Sequence, residues 1–295
     1  MMSKILVLGG SRYFGKRLVN LLLREGKHEV TVATRGLTEL SFDGPVRSLT
    51  LNRTDLQDLK KAAEAGPWDV IYDNICYSPD EALAAIDAFE GRVGQYILTS
   101  TLSVYDFSEI ATTESAFDPY DYPLRTGNRE DFDYGEGKRL AEATFFQRAS
   151  FPVCAMRIPI VLGPDDYTKR LHFHVERVLN ETPIGIPNPE AAISLITSAG
   201  AASFLNWLGS SPITGPVNAC SNGKLSIREI ISLIERETGV AAVIQPETEQ
   251  ANMSPFGVLS SWFMDTSKAE RAGYQFDAID DWLPELIQLL VAERA

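Results

Sequence analysis

A doubly wound α/β fold built on a parallel sheet is predicted by three features of the sequence. Short apolar runs rich in β-branched residues alternate with longer amphipathic segments over the first 105 residues. Those runs are nearly continuous rather than alternating, as strands buried on both faces must be. A glycine-rich turn stands at the first junction of strand and helix, where parallel sheets of this kind receive a ligand.

In chain order the expected elements are strand 4–8, helix 15–24, strand 29–34, strand 46–51, helix 55–65, strand 70–75, helix 79–89 and strand 95–100. Residues 107–133 read as an irregular, Pro-containing connection. Between Asp106 and Glu136 nine acids face only Arg125 and Arg129. A loop of that length is usually functional, so it is expected either to cover the site or to form a solvated connection. A helix over 134–148, a strand over 153–158 and the turn Gly163-Pro164-Asp165-Asp166 follow. Regular alternation weakens beyond residue 165. Residues 1–165 are therefore expected to form a dinucleotide-binding domain to which 193–220 return, with 166–192 and 221–295 forming a smaller, interleaved substrate domain. In the latter, Ser226-Ile-Arg-Glu229 is a capping box before an apolar face ended by Gly239, and another helix starts near Asp265.

At 295 residues, with 44% hydrophobic and 23% charged residues, the chain is long and ordinary enough to bury a core without metal or disulfides. Lys and Arg number 27 against 40 Asp and Glu, a net charge of −13, which disfavours nucleic acid and anionic membranes as partners. Residues 1–4 lead directly into a short apolar run that Gly9 ends, and no run is long enough to span a membrane. Cys76, Cys154 and Cys220 are far apart in apolar stretches, as buried thiols in a reducing compartment would be. A cytoplasmic protein is expected.

The turn Gly9-Gly10-Ser11-Arg12-Tyr13-Phe14-Gly15 offers backbone amides to a pyrophosphate. Glycine at 9 permits the tight turn, glycine at 10 a positive φ, and glycine at 15 the close approach of helix to strand. The end of the second strand, Thr31-Val-Ala-Thr34-Arg35-Gly36, lacks the acid that commonly holds an adenosine ribose. Arg35, with Arg12, can instead fork onto a 2′-phosphate, which points to NADP, with NAD also compatible. In Asn52-Arg53-Thr54-Asp55, Asp55 either sits beside the adenine or caps a helix.

Tyr134 and Lys138, four apart at the start of a helix, share a face and can act on one ligand. Ser100 and Thr101 end the fifth strand at the sheet's carboxyl edge, where a hydroxyl can orient a substrate oxygen. The pair His172 and His174 has no further ligand nearby and points to two sides of a helix, so no metal is expected; contact of Arg170, His172 or His174 with a substrate phosphate is the alternative.

These motifs together resemble the extended short-chain dehydrogenase/reductase superfamily, the NAD-dependent epimerase/dehydratase family, in its Gly-Gly-Thr-Arg-Phe-like branch. The resemblance rests on Val7-Leu-Gly-Gly-Ser-Arg-Tyr-Phe-Gly15, Ser100-Thr-Leu-Ser-Val-Tyr105, Tyr134-Gly-Glu-Gly-Lys138, Arg157-Ile-Pro-Ile-Val-Leu-Gly-Pro164 and Asp265-Thr-Ser-Lys-Ala269 followed by Gly273-Tyr274. It implies Thr101 as the substrate-orienting hydroxyl, Tyr134 as acid/base and Lys138 as its partner. It implies a cofactor set of Gly9, Gly10, Ser11, Arg12, Tyr13, Phe14, Gly15, Thr34, Arg35, Asn52, Asp55, Asn74, Ser100, Arg157, Ile158 and Ile160. The implied activity is an NAD(P)-dependent oxidoreductase or epimerase acting on a nucleotide-sugar or related small molecule, in a homodimer packed through the helix after the fourth strand and the Tyr134 helix. Three departures bear on this. Arg12 stands where a middle glycine is usual, as in the branch that includes chloroplast RNA-binding relatives. Leu102-Ser103 replace the Asp-Glu of sugar dehydratases, which disfavours elimination of water. Leu195-Ile-Thr-Ser-Ala-Gly-Ala-Ala202 replaces a His-Val-Asp-Asp type segment. The alternative function is a non-catalytic dinucleotide sensor or an RNA-binding scaffold; the net negative charge argues against the RNA reading.

Overall fold

The computed structural model describes residues 2–37 and 39–294. Strands β1 (Ser3–Leu8), β2 (His28–Thr34), β3 (Arg47–Thr50), β4 (Trp68–Asp73), β5 (Val93–Thr101) and β6 (Val153–Ile158) alternate with helices α1 (Tyr13–Arg24), α2 (Leu56–Glu64), α3 (Pro79–Phe89) and α4 (Tyr134–Arg148). The short strands β7 (Ile160–Leu162), β8 (Ile184–Gly185), β9 (Ala192–Ile193) and β10 (Leu195–Thr197) come next, with helices α5 (Arg170–Leu179) and α6 (Ser198–Leu208) among them. Then follow β11 (Gly215–Asn218), β12 (Leu225–Ser226), α7 (Ile227–Thr238), β13 (Ile244–Gln245), α8 (Ser267–Arg271) and α9 (Ile279–Ala292).

Seven strands form one parallel sheet in the order β11-β6-β5-β4-β1-β2-β3. The doubly wound fold expected from the alternation is the fold observed. Strand order reverses between β1 and β4, and such a reversal opens a crevice at the carboxyl ends of the strands. Helices α1 and α6 pack together over one face of the sheet and α2, α3 and α4 line up along the other. Because both faces are covered, the strands read as continuous apolar runs. A separate cluster joins α5, α7 and α9 through Val175, Ile230, Ile234, Leu283 and Ile287. The capping box at Ser226 and Glu229 is formed, and Gly239 ends α7 at φ +71°.

Local chemistry explains the boundaries of the well-formed helices. Ser78 accepts a hydrogen bond from the Glu81 amide ahead of Pro79, which suits the first helical position. Asp133 accepts from the Glu136 amide and starts α4 at Tyr134. Helix α8 begins two residues after the Asp265 start expected, and α9 begins without a side-chain cap. The three cysteines are buried free thiols, and burial pushes each pKa up to about 12. Among the described residues no helix is long and apolar enough to cross a membrane.

One buried ionic network fixes the loops at the carboxyl edge. Asp73, the fully buried last residue of β4, accepts from Arg53 Nε at 3.0 Å and Nη2 at 2.5 Å, and from the Tyr96 hydroxyl at 2.6 Å. Its other oxygen accepts from the Ile75 amide at 3.1 Å. Arg53 Nη1 donates to the Glu81 carbonyl at 2.9 Å, tying the β3–α2 loop to α3. The Glu81 carboxylate accepts from the Tyr77 amide at 2.9 Å and from Arg129 Nε at 2.8 Å and Nη2 at 2.6 Å. Part of the acidic connection is thereby anchored to α3.

Removing one member of a buried pair strands the other charge, at a cost of about 3–5 kcal/mol. Asp73→Ala is expected to lower unfolding free energy by about that amount in urea denaturation, with the Arg53→Met/Asp73→Ala double variant recovering most of it. A loss below about 1 kcal/mol for Asp73→Ala would show that the network does not hold the edge together.

Candidate active site

The turn after β1 is built by three close approaches. A Cβ on Gly15 would lie 2.3 Å from the Gly9 carbonyl oxygen, and one on Gly9 would lie 2.7 Å from Ile75 Cγ2. The left-handed residue is Gly9, at φ +81°, and not Gly10 as the glycine spacing predicts. Gly10 is needed for a different reason: a Cβ there would lie 3.0 Å from both Val7 and Val19, between strand and helix. Tyr13, the first residue of α1, is held at φ +53°, a strained conformation for a non-glycine residue that costs about 1–2 kcal/mol. Its hydroxyl is buried without a hydrogen-bond partner, and burial pushes its pKa up. The N-terminus of α1 carries no side-chain cap, and its first residues, Tyr13, Phe14 and Gly15, line the crevice. A glycine cradle, uncapped amides and an orphaned hydroxyl fit a dinucleotide pyrophosphate.

The crevice is one groove in three adjoining stretches. The first, about 740 Å³, lies over the ends of β1, β2 and β3; the second, about 400 Å³, covers the glycine turn; the third, about 480 Å³, covers the ends of β4 and β5. Gly9, Ser11, Arg35 and Ile75 line both of the first two, Tyr13, Phe14, Asn74 and Tyr167 both of the last two, and Tyr77 lines all three. Arg12 and Gly15 belong to the middle stretch, and Thr34 to the first and middle.

At the far end, Thr34 Oγ1 accepts from the Gly36 amide at 3.1 Å, and the Arg35 side chain is exposed along the groove. Asn52 lines this end, but Asp55 does not: its carboxylate caps α2 by accepting from the Gln57 and Asp58 amides. Two acids border this end, Glu130 and Asp58, and Asp58 accepts from the Asn52 amide at 2.9 Å. Arg53 and Arg129 also line this end, both already committed to carboxylates.

At the near end, Asn74 links turn and strand, accepting from Thr99 Oγ1 at 2.7 Å and donating to the Gly9 carbonyl at 3.5 Å. Thr101 ends β5; its hydroxyl accepts from the Ser103 amide at 3.1 Å and meets Ser103 Oγ at 3.3 Å. The Ser100 hydroxyl is spent on the buried Glu142 carboxylate, although its residue borders the groove. Helix α4 reaches this edge because it lacks two side chains. A Cβ on Gly135 would lie 2.6 Å from the Ser103 carbonyl oxygen, and one on Gly137 would lie 2.6 Å from that of Tyr77. Both glycines press the first turn of α4 against the strand ends, so Tyr134 and Lys138 line the same stretch as Thr101. Tyr134 is half exposed, with its ring 6.2 Å from that of Tyr77. Lys138 is buried, donates to the carbonyls of Cys76 at 2.8 Å and Thr99 at 2.5 Å, and lies 5.0 Å from the Tyr77 ring centre.

Ile158 and Ile160 border the groove, but Arg157 turns away from it. Its guanidinium is fully buried, paired with Glu142 at 2.6 Å and bonded to the Tyr105 hydroxyl and the carbonyls of Glu114 and Phe117. A strand-end residue was expected at the cofactor; alternation along β6 directs this one into the core. His174 is likewise removed from any phosphate. Its Nδ1–H donates to the Arg170 carbonyl and its Nε2 accepts from the Ser254 hydroxyl, while the ring stacks on Phe256 at 4.3 Å. Burial pushes its pKa down to about 4, so it is neutral at pH 7. Arg170 lines the third stretch. Tyr77, Tyr167 and Trp262 also line the groove and were missed. Tyr77 had a signal, its place just beyond the carboxyl end of the fourth strand; Trp262 arrives from a loop remote in sequence.

No family model matches the chain. It is 28% identical over 224 residues to the chloroplast stem-loop binding protein of 41 kDa b from Arabidopsis thaliana, covering 70% of this chain and 55% of the relative. The chain thus spans about half the length of that relative. Among solved structures it is similar to the UDP-glucose 4-epimerase of Thermus thermophilus in complex with NAD, with a TM-score of 0.74 and 18% identity over 98% of each chain. It is similar also to the Bordetella bronchiseptica enzyme WbmG in complex with NAD and UDP, with a TM-score of 0.75, 17% identity, and coverage of 100% of this chain and 95% of that one. From end to end, the chain has the fold of these two NAD-bound enzymes.

Proposed function

We propose that the chain is an NAD(P)-dependent oxidoreductase or epimerase acting at a hydroxyl or carbonyl carbon of a small molecule. The observation that carries this is the glycine-enforced contact of α4 with the strand ends, which brings Tyr134 and Lys138 into the stretch of groove lined by Thr101. The solved structures of the same fold include enzymes holding NAD. A bound nicotinamide supplies hydride donor and acceptor chemistry at that end.

The uncapped amides of α1 and the glycine turn hold the pyrophosphate. Where the far and middle stretches meet, Arg35, with Arg12, grips a 2′-phosphate, so NADP is favoured over NAD. Lys138 has three N–H donors; two go to the Cys76 and Thr99 carbonyls, and the third serves a ribose hydroxyl. Thr101 donates a hydrogen bond that orients the substrate oxygen. As phenolate, Tyr134 takes the proton from a substrate hydroxyl during oxidation, and as phenol it returns it to the oxygen during reduction. Half exposure lets the phenol exchange that proton with solvent.

The chloroplast stem-loop binding relative favours a second reading, an RNA-binding scaffold. Against it stand the net charge of −13 and the pairing of Arg53 and Arg129 with buried acids, which leaves no basic track along the groove among the described residues.

Tyr134→Phe is expected to lower turnover by at least about 100-fold while NADPH affinity changes less than about threefold, read by steady-state kinetics beside fluorescence titration. Undiminished turnover would remove Tyr134 from the mechanism. Arg35→Ala is expected to weaken NADPH binding about tenfold or more and leave NADH binding unchanged, since only NADPH carries the 2′-phosphate. Equal loss for both nucleotides would contradict the assignment.

A further inference from the structure

The third stretch of the groove has a charge pattern that bears on what it accepts. Beyond Tyr134 its walls are apolar, from Val161, Ile193, Pro255 and Val258, broken by hydroxyls such as Ser103. Its volume of about 480 Å³ includes the space the nicotinamide end would occupy. Two cations line it, Lys138 and Arg170. Lys138 is held by two carbonyls beneath the sheet edge, which leaves Arg170 as the cation facing a substrate. Arg170 begins α5, and its Nη1 donates at 2.9 Å to Thr168 Oγ1, a hydroxyl that donates in turn to the Asp166 carboxylate at 2.5 Å, so that among the described residues the guanidinium forms no direct ion pair. Trp262 lines the same stretch; its indole N–H is buried with no hydrogen-bond partner, while Phe107 packs edge-on against its ring at 5.0 Å. A buried donor without an acceptor is uncommon, and a ligand oxygen would satisfy it.

Three other cations of this part of the chain are engaged elsewhere. Arg177 donates to the carbonyls of Pro183 and Ala251, Arg228 pairs with Glu190, and Lys224 sits 3.9 Å from the centre of the Phe263 ring. A nucleoside diphosphate brings two charged phosphates, and the second would meet apolar walls and hydroxyls with no cation among the lining residues to offset its desolvation. A single anionic group suits Arg170, whose planar fork accepts two oxygens at once.

We propose, on the oxidoreductase reading above, that the substrate is a small alcohol or carbonyl compound bearing one anionic group, a carboxylate or phosphate monoester, and not a nucleoside diphosphate sugar. Arg170 holds the anionic group and the Trp262 N–H holds an oxygen of the substrate, leaving the reacting carbon between Thr101 and Tyr134.

The test is calorimetric titration of the full chain, saturated with whichever of NADPH or NADH binds, using gluconate, glucose 6-phosphate, glucose and UDP-glucose in separate runs. Gluconate or glucose 6-phosphate should bind at least about tenfold more tightly than glucose and more tightly than UDP-glucose; which of the two wins identifies carboxylate or phosphate monoester. Arg170→Gln should weaken that binding about tenfold or more and Trp262→Phe about three- to tenfold, with nucleotide affinity retained in both. Tighter binding of UDP-glucose, binding of neither anion, or anion binding that survives Arg170→Gln overturns the proposal. If neither nucleotide binds, the oxidoreductase reading itself fails, a result visible before any sugar is added.

Discussion

The groove depends on one buried carboxylate. Asp73 ends β4 beside the point where strand order reverses, and it gathers Arg53, Tyr96 and the Ile75 amide around two oxygens. Through Arg53 it fixes the loop after β3, and through the neighbouring Glu81 the same region holds Arg129 from the long acidic connection. Loops at the carboxyl edge of a parallel sheet are otherwise free to vary; here a chain of charge-assisted bonds sets the groove's walls. The same network consumes the cations that line its far end. What remains to hold a ligand there is largely backbone amide and Arg35, which suits one pyrophosphate and disfavours a long polyanion.

Glycine does the complementary work of bringing helices close. Gly9 and Gly15 draw α1 onto the end of β1, and Gly135 and Gly137 draw α4 onto the ends of β4 and β5. Each pair replaces side-chain thickness with backbone contact. The result is that the uncapped start of one helix and the Tyr134 and Lys138 of another open into the same crevice. Tyr13 accommodates this convergence with a left-handed backbone, and its strained position sits where the groove's middle and near stretches meet.

Much of this was legible in the sequence because local chemistry carried it. Helices α3 and α4 and strand β6 fall where capping residues, Pro79 and continuous apolar runs place them. Alternation of strand and helix implied the parallel sheet, and the glycine turn and the Tyr134 helix located the crevice. Two of the misses share a cause: each turns on where a side chain points after folding. Asp55 fits a cap and a ligand equally well in one dimension, and only the path of the loop commits it to the cap. Arg157 lies at a strand end like its neighbours, but the pleat directs it inward to Glu142. Which glycine takes the positive φ depends on the backbone path through the turn, and spacing does not encode it. Strands of two or three residues such as β8, β9 and β12 are products of tertiary packing, with no periodic signal to read. Trp262 and Tyr167 reach the groove by long-range placement alone.

The proposed function requires that this crevice receive a dinucleotide on the glycine turn. Amide hydrogen exchange of the full chain with and without saturating NADPH, and again with NADH, tests it most directly. Slowed exchange is expected at residues 9–16 and 74–77, with little change in α7. Exchange at the glycine turn unaltered by either nucleotide, or protection confined to α5, α7 and α9, would contradict it.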